Sequence, residues 1–323
     1  MKSPTPQAAG PSRLGIAGLA IAILSACQQT PGPAVRLDVS IAAPTPSAGQ
    51  PVHFEGLHNV VTYTEDLVCG GVPEGEAGLR ALAAMGIRTI VSVDGASPMV
   101  EAAASHGMRY VHLPISYDGV TPEQQLRLAQ AVHSLPRPIY VHCHHGKHRS
   151  GSALGCAAVL GGDMTPEEAM SRMAVSGTAK EYGGLWQAVR EGKALDDALL
   201  RADPASFPSV SKVSGLVATM AEIDRVFDYV KQTQKAGWSA PADHPDLVAR
   251  KETQRLHVLF SQLPDDADSR QLPGEYQTLL REAVANAKAL DAAVQANDIA
   301  AANRLFAVAT ASCKTCHKTW RDR

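Results

Sequence analysis

The sequence predicts two domains: an α/β domain with a central, mostly parallel sheet flanked by helices, followed by an all-α four-helix bundle. Three observations lead there. Over residues 53–198, β-branched runs alternate with amphipathic stretches at helical spacing, the pattern of a sheet whose crossovers are helices. Over 199–210 that alternation breaks at Pro204, Pro208 and neighbouring serines, a linker composition. Over 211–323 strand-like runs vanish and only helical periodicity continues. A chain of 323 residues is long enough for two such cores.

Taken in order, Lys2 and Arg13 precede an apolar run at 14–24, and Leu24-Ser25-Ala26-Cys27 follows. Positive charge, a short apolar run and a small-residue cleavage site describe a secretory signal. The run is too short for a membrane span, which needs about 20 apolar residues. A cysteine at the cleavage site resembles the bacterial lipoprotein box. That resemblance implies that residues 1–27 are the signal, that Cys27 carries the lipid anchor, and that the protein faces the periplasm. Gln28 after the cysteine implies the outer membrane by the same resemblance. Residues 28–52, rich in Pro, Ala, Gly and Ser, read as a flexible tether.

Within 53–198, residues 76–85 read as a short helix closed by Gly86, 87–93 as a buried strand, 99–106 as a helix and 107–113 as the next strand. Thr121-Pro122 has the residues of a capped helix start. Residues 138–142 form a further strand that runs into a glycine-containing loop, and a helix begins at Ser150. Asp94, directly after the first of these strands, reads as a turn residue. In 211–323, helices are expected over 212–235, 246–263, 274–296 and 298–320. Gly237, Pro241, Pro245, Pro264 and Pro273 mark the joints, and four antiparallel helices of similar length suit a bundle.

The sharpest motif is His142-Cys143-His144-His145-Gly146-Lys147-His148-Arg149-Ser150. A thiol is mostly protonated at neutral pH, but the thiolate is the nucleophile. A loop that runs into a helix N-terminus surrounds Cys143 with amide dipoles, and Gly146 permits the turn that aims them inward. Arg149 can grip two phosphate oxygens with its planar fork.

Cysteine, five residues and arginine between a strand and a helix resemble the signature of tyrosine and dual-specificity phosphatases. That resemblance implies a phosphoric monoester hydrolase with Cys143 as nucleophile, forming a phosphocysteine intermediate. Residues 144–149 would cradle the phosphate of a phosphorylated substrate, and Ser150 would assist breakdown of the intermediate. The family's general acid is an aspartate on a loop upstream of the cysteine, and Asp118, 25 residues before Cys143 (143 − 118), takes that role. A silent phosphate-binding loop is the plainer alternative. His144, His145 and His148 are expected to contribute positive potential or to touch substrate. Consecutive loop positions should point apart, so no metal site is expected among them.

Cys313-Lys314-Thr315-Cys316-His317 is the C-x-x-C-H haem attachment pattern. Two thiols can add to the vinyl groups of one haem c, and His317 then supplies an axial ligand. A zinc site would need further ligands nearby. Helices with this motif in the last one, and Arg321 four residues beyond the histidine, resemble the cytochrome c′ family. In that family the first helix offers either a methionine or a covering apolar side chain at the sixth position. Met220 and Leu216 are the two candidates here, and a redox partner is implied if the haem transfers electrons.

Of the six cysteines, Cys69 and Cys156 have no assigned role. They could bridge, Cys69 could serve as a resolving thiol to Cys143, or Cys156 could be an inert buried thiol. A net charge of −2 supplies no basic field for nucleic acid. The rival reading is an electron-transfer or gas-binding haem lipoprotein whose first domain only binds phosphate.

Overall fold

The computed structural model describes Met1, residues 49–242 and residues 244–321. The signal, Cys27 and residues 28–48 of the tether lie outside the described residues. Six strands form one mixed sheet: β1 (Val52–Phe54), β2 (Leu57–Thr64), β3 (Leu67–Gly70), β4 (Thr89–Ser92), β5 (Arg109–His112) and β6 (Ile139–His142), in the order β1-β2-β3-β6-β4-β5. Pairings β3–β6, β6–β4 and β4–β5 are parallel, whereas β1–β2 and β2–β3 are antiparallel. The sheet is therefore mixed rather than mostly parallel. The antiparallel half comes from two hairpins over 52–70 whose tight turns leave no room for a crossover helix.

Strand alternation builds two cores. Val91, Val111, Val141, Leu67 and Cys69 face one side of the sheet, toward α3 (Pro122–Ser134), α4 (Arg149–Leu160) and α6 (Gly183–Arg190). Ile90, Tyr110, Tyr140 and Val68 face the other, toward α1 (Gly75–Ala84) and α2 (Val100–Ser105). All four residues of β4 and of β6 are buried, as expected of strands covered on both faces. Thr121 caps α3 through a box with Gln124, and Pro122 opens the helix. Thr165 and Glu168 do the same for α5 (Pro166–Ser176). Each cap satisfies two amides that a helix start leaves without partners. All twelve residues of α4 are buried, including Arg149.

Residues 199–210 pack against this domain. After the short α7 (Asp197–Leu200), Leu200 and Phe207 are buried, and the Arg127 guanidinium lies 4.0 Å over the Phe207 ring. The His112 amide donates to Pro208 O at 2.9 Å.

Beyond 211 the elements among the described residues are helices, chiefly α8 (Gly215–Lys235), α9 (Ala249–Gln262), the short α10 (Ala267–Gln271), α11 (Gly274–Gln295) and α12 (Ile299–Trp320). α11 packs on both α9 and α12, and α8 packs on α9. Their shared core includes Val226, Val230, Leu256, Leu280 and Leu290. α8 and α12 meet at one end, where Phe227 stacks on Phe306 with ring centroids 5.5 Å apart. Both the α/β region and these helices fall within one compact unit, 41–323.

Candidate active site

Cys143 follows β6 directly and Arg149 opens α4, so the 143–149 loop lies between a fully buried strand and a fully buried helix. Cys143 is 2% exposed, and its thiol donates to Ser150 Oγ at 3.5 Å. The loop is tied from outside. Val72 N donates to His144 O at 3.0 Å, Asn59 Nδ2 to Gly146 O at 3.0 Å, and Thr178 Oγ1 to Lys147 O at 2.7 Å. In a trans peptide the carbonyl and the next amide point opposite ways, so the amides of residues 145, 147 and 148 point away from these outside partners. Gly146 has φ +73°, and a Cβ there would sit 2.2 Å from Gly70 C. Only glycine fits that turn.

Arg149 is 7% exposed. Its Nη1 lies 3.4 Å from Asp94 Oδ1, and its Nη2 donates to the Tyr117 hydroxyl at 3.1 Å. Its buried Nε makes no hydrogen bond among the described residues. Asp94 is thus more than a turn residue: it is 5% exposed and pairs with the Arg149 guanidinium. Burial alone would raise its carboxyl, but the Arg149 guanidinium, with His144 and His142 beyond it, outweighs burial and holds the carboxyl below its usual range. A carboxyl kept ionised is a poor proton donor at neutral pH, so Asp94 positions Arg149.

Asp118 is exposed, on the loop between β5 and α3, and its amide donates to Ser116 Oγ at 3.2 Å. Its neighbour Tyr117, rather than Asp118 itself, lines the cavity at Arg149. The Arg149 guanidinium stacks 4.3 Å from the Tyr117 ring centroid and the Arg321 guanidinium 3.7 Å from it. Burial pushes the Tyr117 hydroxyl up to about 12 despite Arg149, so it stays a protonated donor.

The remaining loop histidines have specific partners. His148 Nδ1 accepts from Ala179 N at 3.2 Å, and burial, then the Lys147 charge, pushes its ring down to about 4. His142 hydrogen-bonds the Tyr110 hydroxyl at 2.7 Å, and burial pushes it down to about 4. His144 and His145 do not diverge as expected. Both reach Oδ2 of Asp228 on α8, at 3.0 and 2.9 Å.

Among the described residues no disulfide joins Cys69 to Cys156; both are free and fully buried, and burial pushes each thiol up to about 12. That is the state of inert buried thiols.

A cavity of about 400 Å³ opens between the two regions. One wall carries Asp94, Tyr117 and Arg149; the other carries Leu216 and Met220 of α8 with Cys316, His317 and Trp320 of α12. Cys313 lies one turn before Cys316 and packs on the helical core. Asp94, Tyr117, Asn59, Asp228 and Arg321 were not singled out as active-site residues from sequence. Asp94 and Tyr117 carried a faint signal, one ending a strand and the other preceding Asp118.

A buried thiol and guanidinium held across a strand–loop–helix turn define a DSP-PTPase-like phosphatase domain. Residues 59–193 match the family model described as PTP-SAK: Swiss Army Knife protein, DSP-PTPase phosphatase domain. No curated protein matches the chain. Similar solved structures include P. aeruginosa TpbA, with 19% identity over 50% of this chain and 99% of that chain, TM-score 0.39. A putative DUF442 phosphatase of Shewanella putrefaciens shares 17% identity over 42% of this chain and 89% of its own, TM-score 0.36. The catalytic core of the S. cerevisiae PP-IP phosphatase SIW14 shares 17% over 47% and 91%, TM-score 0.37.

Proposed function

We propose that the chain is an exported, lipid-anchored phosphomonoester hydrolase whose helical region carries one covalent haem c. The observation that carries the hydrolase reading is Arg149: a buried guanidinium with an unpartnered Nε, one residue before the serine that receives the Cys143 thiol. A buried cationic donor without a partner is costly, and a phosphoryl oxygen would satisfy it. In this reading Cys143 attacks phosphorus and the leaving oxygen departs with a proton from Asp118. Amides of 145, 147 and 148 and the Arg149 fork hold the equatorial oxygens. Asp118 then takes a proton from water as Ser150 assists hydrolysis of the phosphocysteine. The test is turnover of an aryl phosphate by the full chain. Loss of turnover in Cys143→Ser supports the proposal; turnover that persists in that variant overturns it.

The residues of the helical region fit a haem. Cys313 and Cys316 are one turn apart, His317 stands on the cavity wall, and Leu216 and Met220 face it from α8. Cys313 and Cys316 would hold the group, His317 would ligate iron, and either Met220 would ligate it or Leu216 would cover it. A bound haem supplies one-electron exchange or gas binding. Four-helix packing, periplasmic location and attachment through Cys27 belong to the same proposal. The absorption spectrum of the protein from the native host tests it: a covalently retained haem spectrum, lost in Cys313→Ser/Cys316→Ser, is expected, and a colourless protein refutes it.

A further inference from the structure

His144 and His145 are adjacent in the catalytic loop, and adjacent side chains ordinarily splay. Here both rings turn to one point, edge to face with centroids 4.4 Å apart. Both Nε2 atoms meet Oδ2 of Asp228, and the three ligand atoms lie within 4.8 Å of one another. The other carboxylate oxygen, Oδ1, accepts from Lys231 Nζ at 2.6 Å, which orients the carboxylate and leaves Oδ2 facing the imidazoles. This is how an outer partner fixes a metal ligand.

We propose that His144, His145 and Asp228 bind one divalent transition-metal ion of the zinc class. Imidazole nitrogens with one carboxylate oxygen are a borderline donor set, suited to zinc(II) and its neighbours rather than to calcium or magnesium. Donors around tetrahedral zinc stand about 3.3 Å apart, given metal–ligand distances of about 2 Å. The two His–Asp separations of 3.0 and 2.9 Å therefore need only a small widening. Three protein ligands leave a fourth position for water, and the cavity of about 880 Å³ that all three residues line gives access to it. His145 has 43% of its side chain exposed, so an ion can enter without unfolding. The ion would not take part in thiolate chemistry. It would clamp the phosphate loop, through two consecutive residues, to a helix some 80 residues further along.

The experiment is a calorimetric titration of zinc(II) into the chelator-treated full chain. Cys143→Ser, Cys313→Ser and Cys316→Ser are included to remove competing thiols. One equivalent is expected, weakened at least tenfold by Asp228→Asn and by the exposed-site variant His145→Ala. Elemental analysis of the chain as isolated, with and without Asp228→Asn, reads the same one-equivalent difference without the thiol substitutions. No binding in the triple-serine chain, or an equivalent that survives both ligand variants, overturns the site. Neither readout uses turnover, so the result stands apart from the hydrolase reading.

Discussion

Replacing Asp94 by Asn leaves the shape of the site and removes one charge. The Asp94–Arg149 contact is 3.4 Å, with side chains 7% and 9% exposed. Two unit charges at that separation attract by about 5 kcal/mol at an effective dielectric of 20. Desolvation offsets much of that in the intact pair, but removing one member of a buried pair typically costs about 3–5 kcal/mol. Asparagine still offers an oxygen to the guanidinium, so about 3 kcal/mol is expected. For a compact unit spanning 41–323, that lowers Tm by about 5 °C. Misplacing the guanidinium by about 1 Å should also reduce kcat/KM on the order of 100-fold. Thermal unfolding and aryl phosphate kinetics on Asp94→Asn measure both quantities. A Tm within about 2 °C of wild type together with unchanged kcat/KM would refute the positioning role.

Three more outcomes follow from named residues. Gly146→Ala forces a side chain onto φ +73° and into the Gly70 backbone; turnover should fall by more than about 100-fold, and near-wild-type kinetics would contradict the loop geometry. Asp118→Asn should slow phenyl phosphate hydrolysis by about 10²–10⁴ and barely affect an activated nitrophenyl ester, because only the poor leaving group needs the proton. Equal losses on both substrates would remove Asp118 as the acid. His142 is held neutral by burial, with its pKa near 4 against about 6.5 when unfolded. The unfolded chain then binds more protons between those values, so stability falls as pH drops from about 6.5 to 4. The His142 share at pH 4.5 is about 2–3 kcal/mol. Urea midpoints at pH 7 and 4.5 should differ less in His142→Asn than in wild type, and equal differences would count against the assignment.

Local pattern carried much of this protein. The β-branched runs at 87–93 and 138–142 lie over β4 and β6, and Thr121-Pro122 opens α3. The cysteine-to-arginine spacing was legible because loop, thiol and guanidinium are contiguous. The hairpins over 52–70 were not, since β2 mixes buried and partly exposed positions without strict alternation and Asn59 carries a positive φ. Asp94 read as a turn because its partner comes 55 positions later (149 − 94). Two neighbouring imidazoles were expected to diverge; what draws them together is Asp228, which no spacing within the loop could announce.

The cavity at Arg149 is closed on one side by α8 and α12. On the proposed hydrolase reading, selectivity among phosphate esters would be set jointly, by the half that holds the phosphoryl group and by a helical half, together with any group held by Cys313 and Cys316, that limits what hangs from it. A fragment trimmed to 53–198 would keep the thiol and guanidinium but lose Leu216, Met220, Trp320 and Arg321. Its mouth would be wider and wetter than that of the parent, and the esters it accepts would be a poor guide to those the intact chain admits.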